Sequence, residues 1–185
     1  ANMPKENISR AINKSDISQD KNYDNLRYEG FGPFSSSFII ETLTDNKNRS
    51  ASSIRTILQK NGGRLGETGS TSHSFFNYGI IHLEVKKCSE EEILDIATNN
   101  GAKDCLNLGR VHEIITEKED FYKIKSNLEK KFLNLEYSAI EWRPKNYIEL
   151  NNEQQDKMIQ IIEALDDLDD VQNVFTNVRL ESIKK

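Results

Sequence analysis

The chain has 185 residues, 36% of them hydrophobic and 30% charged, and its formal net charge is −5. That length supports a real core in one large or two small domains, and no apolar run approaches the span of a bilayer. The acidic total makes the chain as a whole a poor electrostatic match for nucleic acid, and two cysteines, Cys88 and Cys105, make neither a disulfide framework nor a zinc set, as expected in a reducing compartment.

The first residues show no basic-then-apolar signal pattern. The chain begins "ANMPKENISRAI" without an initiator Met, in text that reads as the inside of a structured region, and it is expected to be a fragment of a longer protein. "MPKENISRAINK" (3–14) predicts a short helix with Pro4 in its first turn, and the polar 15–24 a linker. "LRYEGFGPFSSSFIIETLTD" predicts two strands broken by Gly30, Gly32 and Pro33. The next helix, in "NRSASSIRTILQKNGG", is expected to be capped by Asn48 or Ser50. Its apolar stripe is Ala51, Ile54, Ile57 and Leu58, and Gly62 takes the C′ position.

Alternation of Ile81, Leu83 and Val85 with His82, Glu84 and Lys86 predicts a strand over 80–86. A helix at 90–99 follows, opened by the capping box Ser89-x-x-Glu92 and closed near Gly101. Strands at 103–108 and 111–116 meet at the two-residue turn Gly109-Arg110. A second capping box, Thr116-x-x-Glu119, is expected to open a helix striped by Phe121, Ile124, Leu128 and Phe132, and "LEYSAIEW" a strand ending before Pro144. The order is βαββαβ, the ferredoxin-like plan. A further helix with Met158, Ile161, Ile162, Leu165 and Leu168 on one face, and a strand around 174–178, then need a partner sheet. The expected fold is therefore α+β, with a discontinuous α/β domain, 26–79 plus 149–185, carrying an inserted ferredoxin-like domain at 80–148.

"QKNGGRLGETGS" (59–70) holds four glycines within eight positions and raises the question of a phosphate-cradling loop. A Walker loop needs G-x-x-x-x-G-K followed by Ser or Thr, and here Gly66 precedes Glu67. A dinucleotide fingerprint lies between a strand and the N-terminus of a helix, whereas these glycines follow a helix and precede a strand. A C-cap and a chain of turns account for them. "HEIIT" (112–116) has Thr116 where a zinc helix needs its second histidine, and His73, His82 and His112 lack ligand spacing. Ser70 and Ser72 lie in "GSTSH", outside any nucleophile elbow. No catalytic residue, metal or cofactor is expected.

Two charged stretches remain. "EALDDLDD" gathers Asp166, Asp167, Asp169 and Asp170 at a helix C-terminus, where the dipole disfavours each anion by about 0.3–1 kcal/mol. It reads as a solvated face or as a surface for a basic partner. Between Asn46 and Arg64 stand Lys47, Arg49, Arg55, Lys60 and Arg64 and no acid, in an otherwise acidic chain. With Gly62, Gly63 and Gly66 letting a phosphate backbone approach main chain, this is a phosphate-contact surface in outline, giving affinity rather than sequence readout. The same run reads equally as a solvated basic helix face.

"ANMPKENISRAI", "YEGFGP", "LTDNKNRS", "KNGGRLGETGS" and "IEALDDLDDVQNVFTN", in this order and spacing, resemble the YebC family across essentially the whole chain. The resemblance implies a basic N-terminal helical domain, of which 1–25 would be the end and linker, and two α/β domains, the middle one discontinuous. It implies a cytoplasmic protein (mitochondrial in a eukaryote) without enzymatic activity, small-molecule substrate or membrane partner. Family members are described as DNA-binding transcriptional regulators or as ribosome-associated translation factors for stretches such as consecutive prolines. The family's TDN-x-NR motif falls on Thr44–Arg49 and its NGG-x-LG motif on Asn61–Gly66. Phe34 and three serines stand where further glycines are usual, Arg64 stands where Asn is common, and "YSAIEWRPKN" matches loosely. The resemblance thus points to DNA, or to ribosomal RNA, as partner. A protein-interaction scaffold using the acidic 163–170 surface is the alternative.

Overall fold

The computed structural model describes residues 22–180, so the helix expected at 3–14 and most of the linker after it lie outside the described residues. In chain order the elements are β1 (Asp24–Phe31), β2 (Ser37–Thr44), α1 (Lys47–Lys60), β3 (Arg64–Leu65), β4 (Phe75–Glu84), α2 (Glu90–Asn99), β5 (Asp104–Asn107), β6 (Val111–Glu117), α3 (Phe121–Phe132), β7 (Tyr137–Pro144), α4 (Asn152–Asp166) and β8 (Val171–Thr176). The protein is a mixed α+β structure with two four-stranded antiparallel sheets and four α-helices. It divides into two compact units, 22–74 with 144–180, and Phe75–Arg143.

In the first unit the strand order is β3-β1-β2-β8, each neighbouring pair antiparallel. Alternation along β2 turns Phe38 and Ile40 to one face, where Ile54 and Leu58 of α1 and Met158, Ile161 and Leu165 of α4 close on them. The cap of α1 is Asn46, two residues before the expected Asn48, because its side chain reaches the Arg49 N–H. The helix ends as its sequence predicts. Gly62, at φ +79°, donates to the Gln59 carbonyl and Gly63 to that of Leu58, the paired bonds of a Schellman cap. A Cβ on Gly63 would lie 2.2 Å from the Phe31 carbonyl oxygen, so β1 and the end of α1 approach at a distance only glycine permits.

In the second unit the order is β5-β6-β4-β7, and α2 and α3 cover one face over Ile81, Leu83 and Ile114. The Ser89 hydroxyl caps α2 by accepting the Glu92 N–H, but the expected capping box is only half formed, since the Glu92 carboxylate turns to Lys131 at 2.8 Å. The Thr116-x-x-Glu119 box does not form. Pairing of β4 with β6 continues through Gly79↔Thr116 and Tyr78↔Glu117, so the ladder holds Thr116, its hydroxyl bonds the Glu117 carbonyl, and α3 starts after Asp120 without a side-chain cap. β4 begins at Phe75, five residues before its expected start, and Val85 lies in a 3-10 turn. β7 runs through Pro144, and β8 starts at Val171, three residues before the expected position.

The β1–β2 hairpin turns through "GPFSS", held by Gly32 N–H to Ser36 C=O at 2.9 Å and by the Ser36 hydroxyl on the Pro33 carbonyl at 2.7 Å. Phe34 and Ser35 take φ +60° and +61°, a conformation that side chains resist. Ser35→Gly should relieve that conformation and, after the extra freedom glycine gains in the unfolded chain, raise stability by about 0.5–1 kcal/mol. Thermal denaturation should show a midpoint higher by about 1–4 °C; a lower one would contradict the strained reading of the tip.

Candidate nucleic-acid interface

The basic stretch splits in two by its partners. At the start of α1 the cations are neutralised from within the fold. Lys47 Nζ stands 3.4 Å from Asp24, and Arg49 Nη2 stands 2.7 Å from Asp45 and 2.9 Å from Asp170. Asp170 also accepts the Ser50 hydroxyl at 2.7 Å and the Thr44 hydroxyl at 3.2 Å, so its carboxylate sits in the first turn of α1, where the helix dipole favours an anion. Further along, Arg55, Lys60 and Arg64 have no carboxylate partner among the described residues, and all three are exposed. Arg64 lies over the Phe31 ring, its Cζ 4.5 Å from the ring centroid.

The glycines are used mostly inward. Phe31's carbonyl fills the space beside Gly63, and the Ser70 hydroxyl would lie 2.3 Å from a Cβ on Gly66. Only Gly62 of these three faces open space.

Sequence reasoning missed the group that holds the loop. Glu29 on β1 is 1% exposed, and its carboxylate accepts the N–H groups of Thr71 at 2.8 Å and Ser72 at 2.9 Å. It also accepts the Thr71 hydroxyl at 3.3 Å and Arg27 Nε at 3.2 Å. Burial acts to raise its pKa, but the backbone donors, Thr71 foremost, prevail and hold it at about 2. The loop's N–H groups thus do cradle an anion, one supplied by the chain itself.

The acidic stretch also divides. Asp170 is drawn to α1, leaving Asp167 and Asp169 exposed, and Arg49, Ser50, Asp169 and Asp170 line a recess of about 150 Å³. Asp166 is half-buried at the end of α4; burial first, and Asp167 second, push its carboxyl up to about 6.

In the second unit a polar chain crosses the sheet. Tyr137 donates to Glu141 at 2.6 Å, Arg143 bridges Glu141 at 2.8 Å and Glu113 at 2.9 Å, and His82 Nε2 meets Glu113 at 2.9 Å. Burial opposes ionisation of Glu113, and His82 and Arg143 outweigh it to keep the carboxyl below its usual range. His82 is partly buried and His73 exposed, whereas His112 is buried with its Nε2 2.9 Å from the Cys88 carbonyl oxygen. Among the described residues, no three His, Cys, Asp or Glu side chains are grouped to hold a metal ion, and no helix is long and apolar enough to cross a membrane.

An α+β chain of two antiparallel sheets with a basic helix end and a carboxylate-anchored glycine loop matches known proteins over nearly its whole length. The family model described as "TACO1/YebC second and third domain" matches residues 23–178. A probable transcriptional regulatory protein of Pelagibacter ubique is 44% identical over 182 residues, 98% of this chain and 76% of that protein. The crystal structure of a conserved hypothetical protein from Aquifex aeolicus superposes with a TM-score of 0.78 at 37% identity, covering 99% of this chain and 77% of that one. The chain belongs to the TACO1/YebC family.

Two stability measurements check the electrostatics. Glu29→Gln should cost about 3 kcal/mol at pH 7, from a carboxyl whose pKa falls from 4.5 to about 2 on folding. That contribution is complete above the unfolded pKa and fades as pH falls towards 2, so urea titrations of wild type and variant should converge in acid. Asp166 runs the other way: its folded pKa lies above 3.8, so its ionised form opposes folding at neutral pH and ceases to do so below the unfolded pKa. Asp166→Asn should therefore raise the midpoint at pH 7.5 and leave it unchanged near pH 3.5.

Proposed function

We propose that the protein is a non-enzymatic, nucleic-acid-associated regulator of gene expression whose phosphate-contact surface is the second half of α1 and the turn after it. The observation that carries this reading is the trio Arg55, Lys60 and Arg64, cations without carboxylate partners in a chain of net charge −5 that pairs Lys47 and Arg49 internally. Unpaired cations cost nothing to redirect to phosphate, whereas Arg49 would first have to leave Asp45 and Asp170. Gly62, with open space beside it, allows a sugar–phosphate backbone to come close.

The name of the Pelagibacter relative favours a transcriptional role and DNA. The family resemblance also allows ribosomal RNA and a translational role, in the cytoplasm. The acidic surface supports the scaffold reading less, since Asp170 is spent inside the fold. The element and strand order of the second unit support reading it as a ferredoxin-like domain inserted into a discontinuous α/β domain.

Reversing Arg55, Lys60 and Arg64 to Glu together should abolish binding to labelled DNA and RNA. Replacing only Arg55 and Lys60 should lower the slope of log affinity against log salt by about 1.4–1.8. Arg49→Glu alone should act mainly on stability. Unchanged affinity in the triple variant, measured by fluorescence anisotropy across salt concentrations, would overturn the assignment.

A further inference from the structure

We propose that the Phe31–Arg64 stack is a platform for an unpaired nucleobase, so that this surface selects single-stranded over duplex nucleic acid; the inference rests on the phosphate-contact reading above. Phe31 and Arg64 are partners in the β1–β3 register, which places both side chains on the same face of the sheet. The Arg64 Cζ lies over the ring, 4.5 Å from its centroid, and because Arg64 is exposed and lacks a carboxylate partner among the described residues its guanidinium is open to a further stacking partner. A planar, delocalised cation already held over an aromatic ring can take a base on its exposed side at little further entropic cost.

The setting supplies the rest of a nucleotide. Lys60 ends α1, Gly62 leaves open space, and Arg64 follows two residues later, so cation, approachable backbone and stacking surface come in sequence along one short turn. Lys60 would take a phosphate oxygen while the base lies on Arg64. The stack is held in place from below, since β3 pairs with β1 through Gly30↔Leu65 and Phe31↔Arg64. A paired base has both faces covered by its neighbours in the helix and cannot lie on such a surface. An unpaired one can, in RNA or in DNA.

The test uses the 185-residue chain and three fluorescein-labelled probes: a short adenine-rich RNA, the same sequence as single-stranded DNA, and its duplex. Arg64→Lys keeps the charge and loses the plane. It should weaken binding to single strands by about 5- to 50-fold and leave duplex affinity and the salt slope as they were. Phe31→Leu should act in the same direction. A 2-aminopurine in the single strand should be quenched on binding to wild type and not to Arg64→Lys; an unchanged thermal midpoint for that variant shows that the fold is intact. Comparison of the RNA and DNA single strands tells which sugar the site prefers. Equal affinity of wild type and Arg64→Lys for single strands, or an equal loss on the duplex, would overturn the inference. Arg55→Glu with Lys60→Glu reports separately. If that pair weakens every probe and Arg64→Lys weakens none, the stacking platform fails alone. If wild type binds no probe, both readings fail.

Discussion

The first unit is organised around a buried carboxylate. Glu29 sits on the face of its sheet opposite the two helices and binds the backbone of a loop forty residues further along the chain. Burying an ionised group is costly unless each of its lone pairs is met, and here two N–H groups, a hydroxyl and an arginine meet them. One ion thereby fixes where the chain from Gly66 to Ser72 runs. That loop feeds directly into β4, so the entry of the chain into the second unit starts from an electrostatically pinned point. The Gly66 N–H on the Glu29 carbonyl at 2.8 Å adds a second tie at the same residue.

A second carboxylate sets the other end of α1. Asp170 reaches the first turn of the helix across 121 positions of sequence and takes its partners from Arg49, Ser50 and Thr44. This contact ties the residue just before β8 to α1, elements that the whole second unit separates in the sequence. It also divides the labour among the basic residues. Arg49 holds the structure together, as does Lys47 more weakly through Asp24, and cations beyond the first turns stay available. A run of like charge in sequence is thus not one surface in space.

What was legible in the sequence follows the range of the forces involved. The stripes of α1, α3 and α4 are local periodicities, and their buried residues, Ile54, Leu58, Ile124, Leu128, Met158 and Leu165 among them, face the cores that hydrophobic spacing foretells. The Schellman end of α1 and the Ser89 cap are equally local. Thr116 misled because a capping-box pattern competes with strand pairing, and six other register pairs between β4 and β6 outweigh a single cap. Glu29 gave no local signal, and Asp170 showed only as one acid of a charged run, with nothing to mark it as the partner of α1. Only the long-range topology supplies the donors of either. Of the candidate site, the residue types were legible in the sequence, but the partners that decide which of them are free were not.

Two of the three left-handed non-glycine residues among the described residues gather with an unpaired cation at one end of the first sheet. The hairpin tip carries two left-handed non-glycine residues, Phe34 and Ser35, and the turn opposite it packs Gly63 against the Phe31 carbonyl. Between them Arg64 covers Phe31 with its charge unspent. A fold seeking stability alone would place glycine at the tip and an acid near the arginine. Elsewhere this chain does the equivalent, satisfying Glu29, Asp170 and Glu113 with several donors each. Strain and an unpaired cation lie side by side at this end of the sheet, as the proposed ligand surface requires.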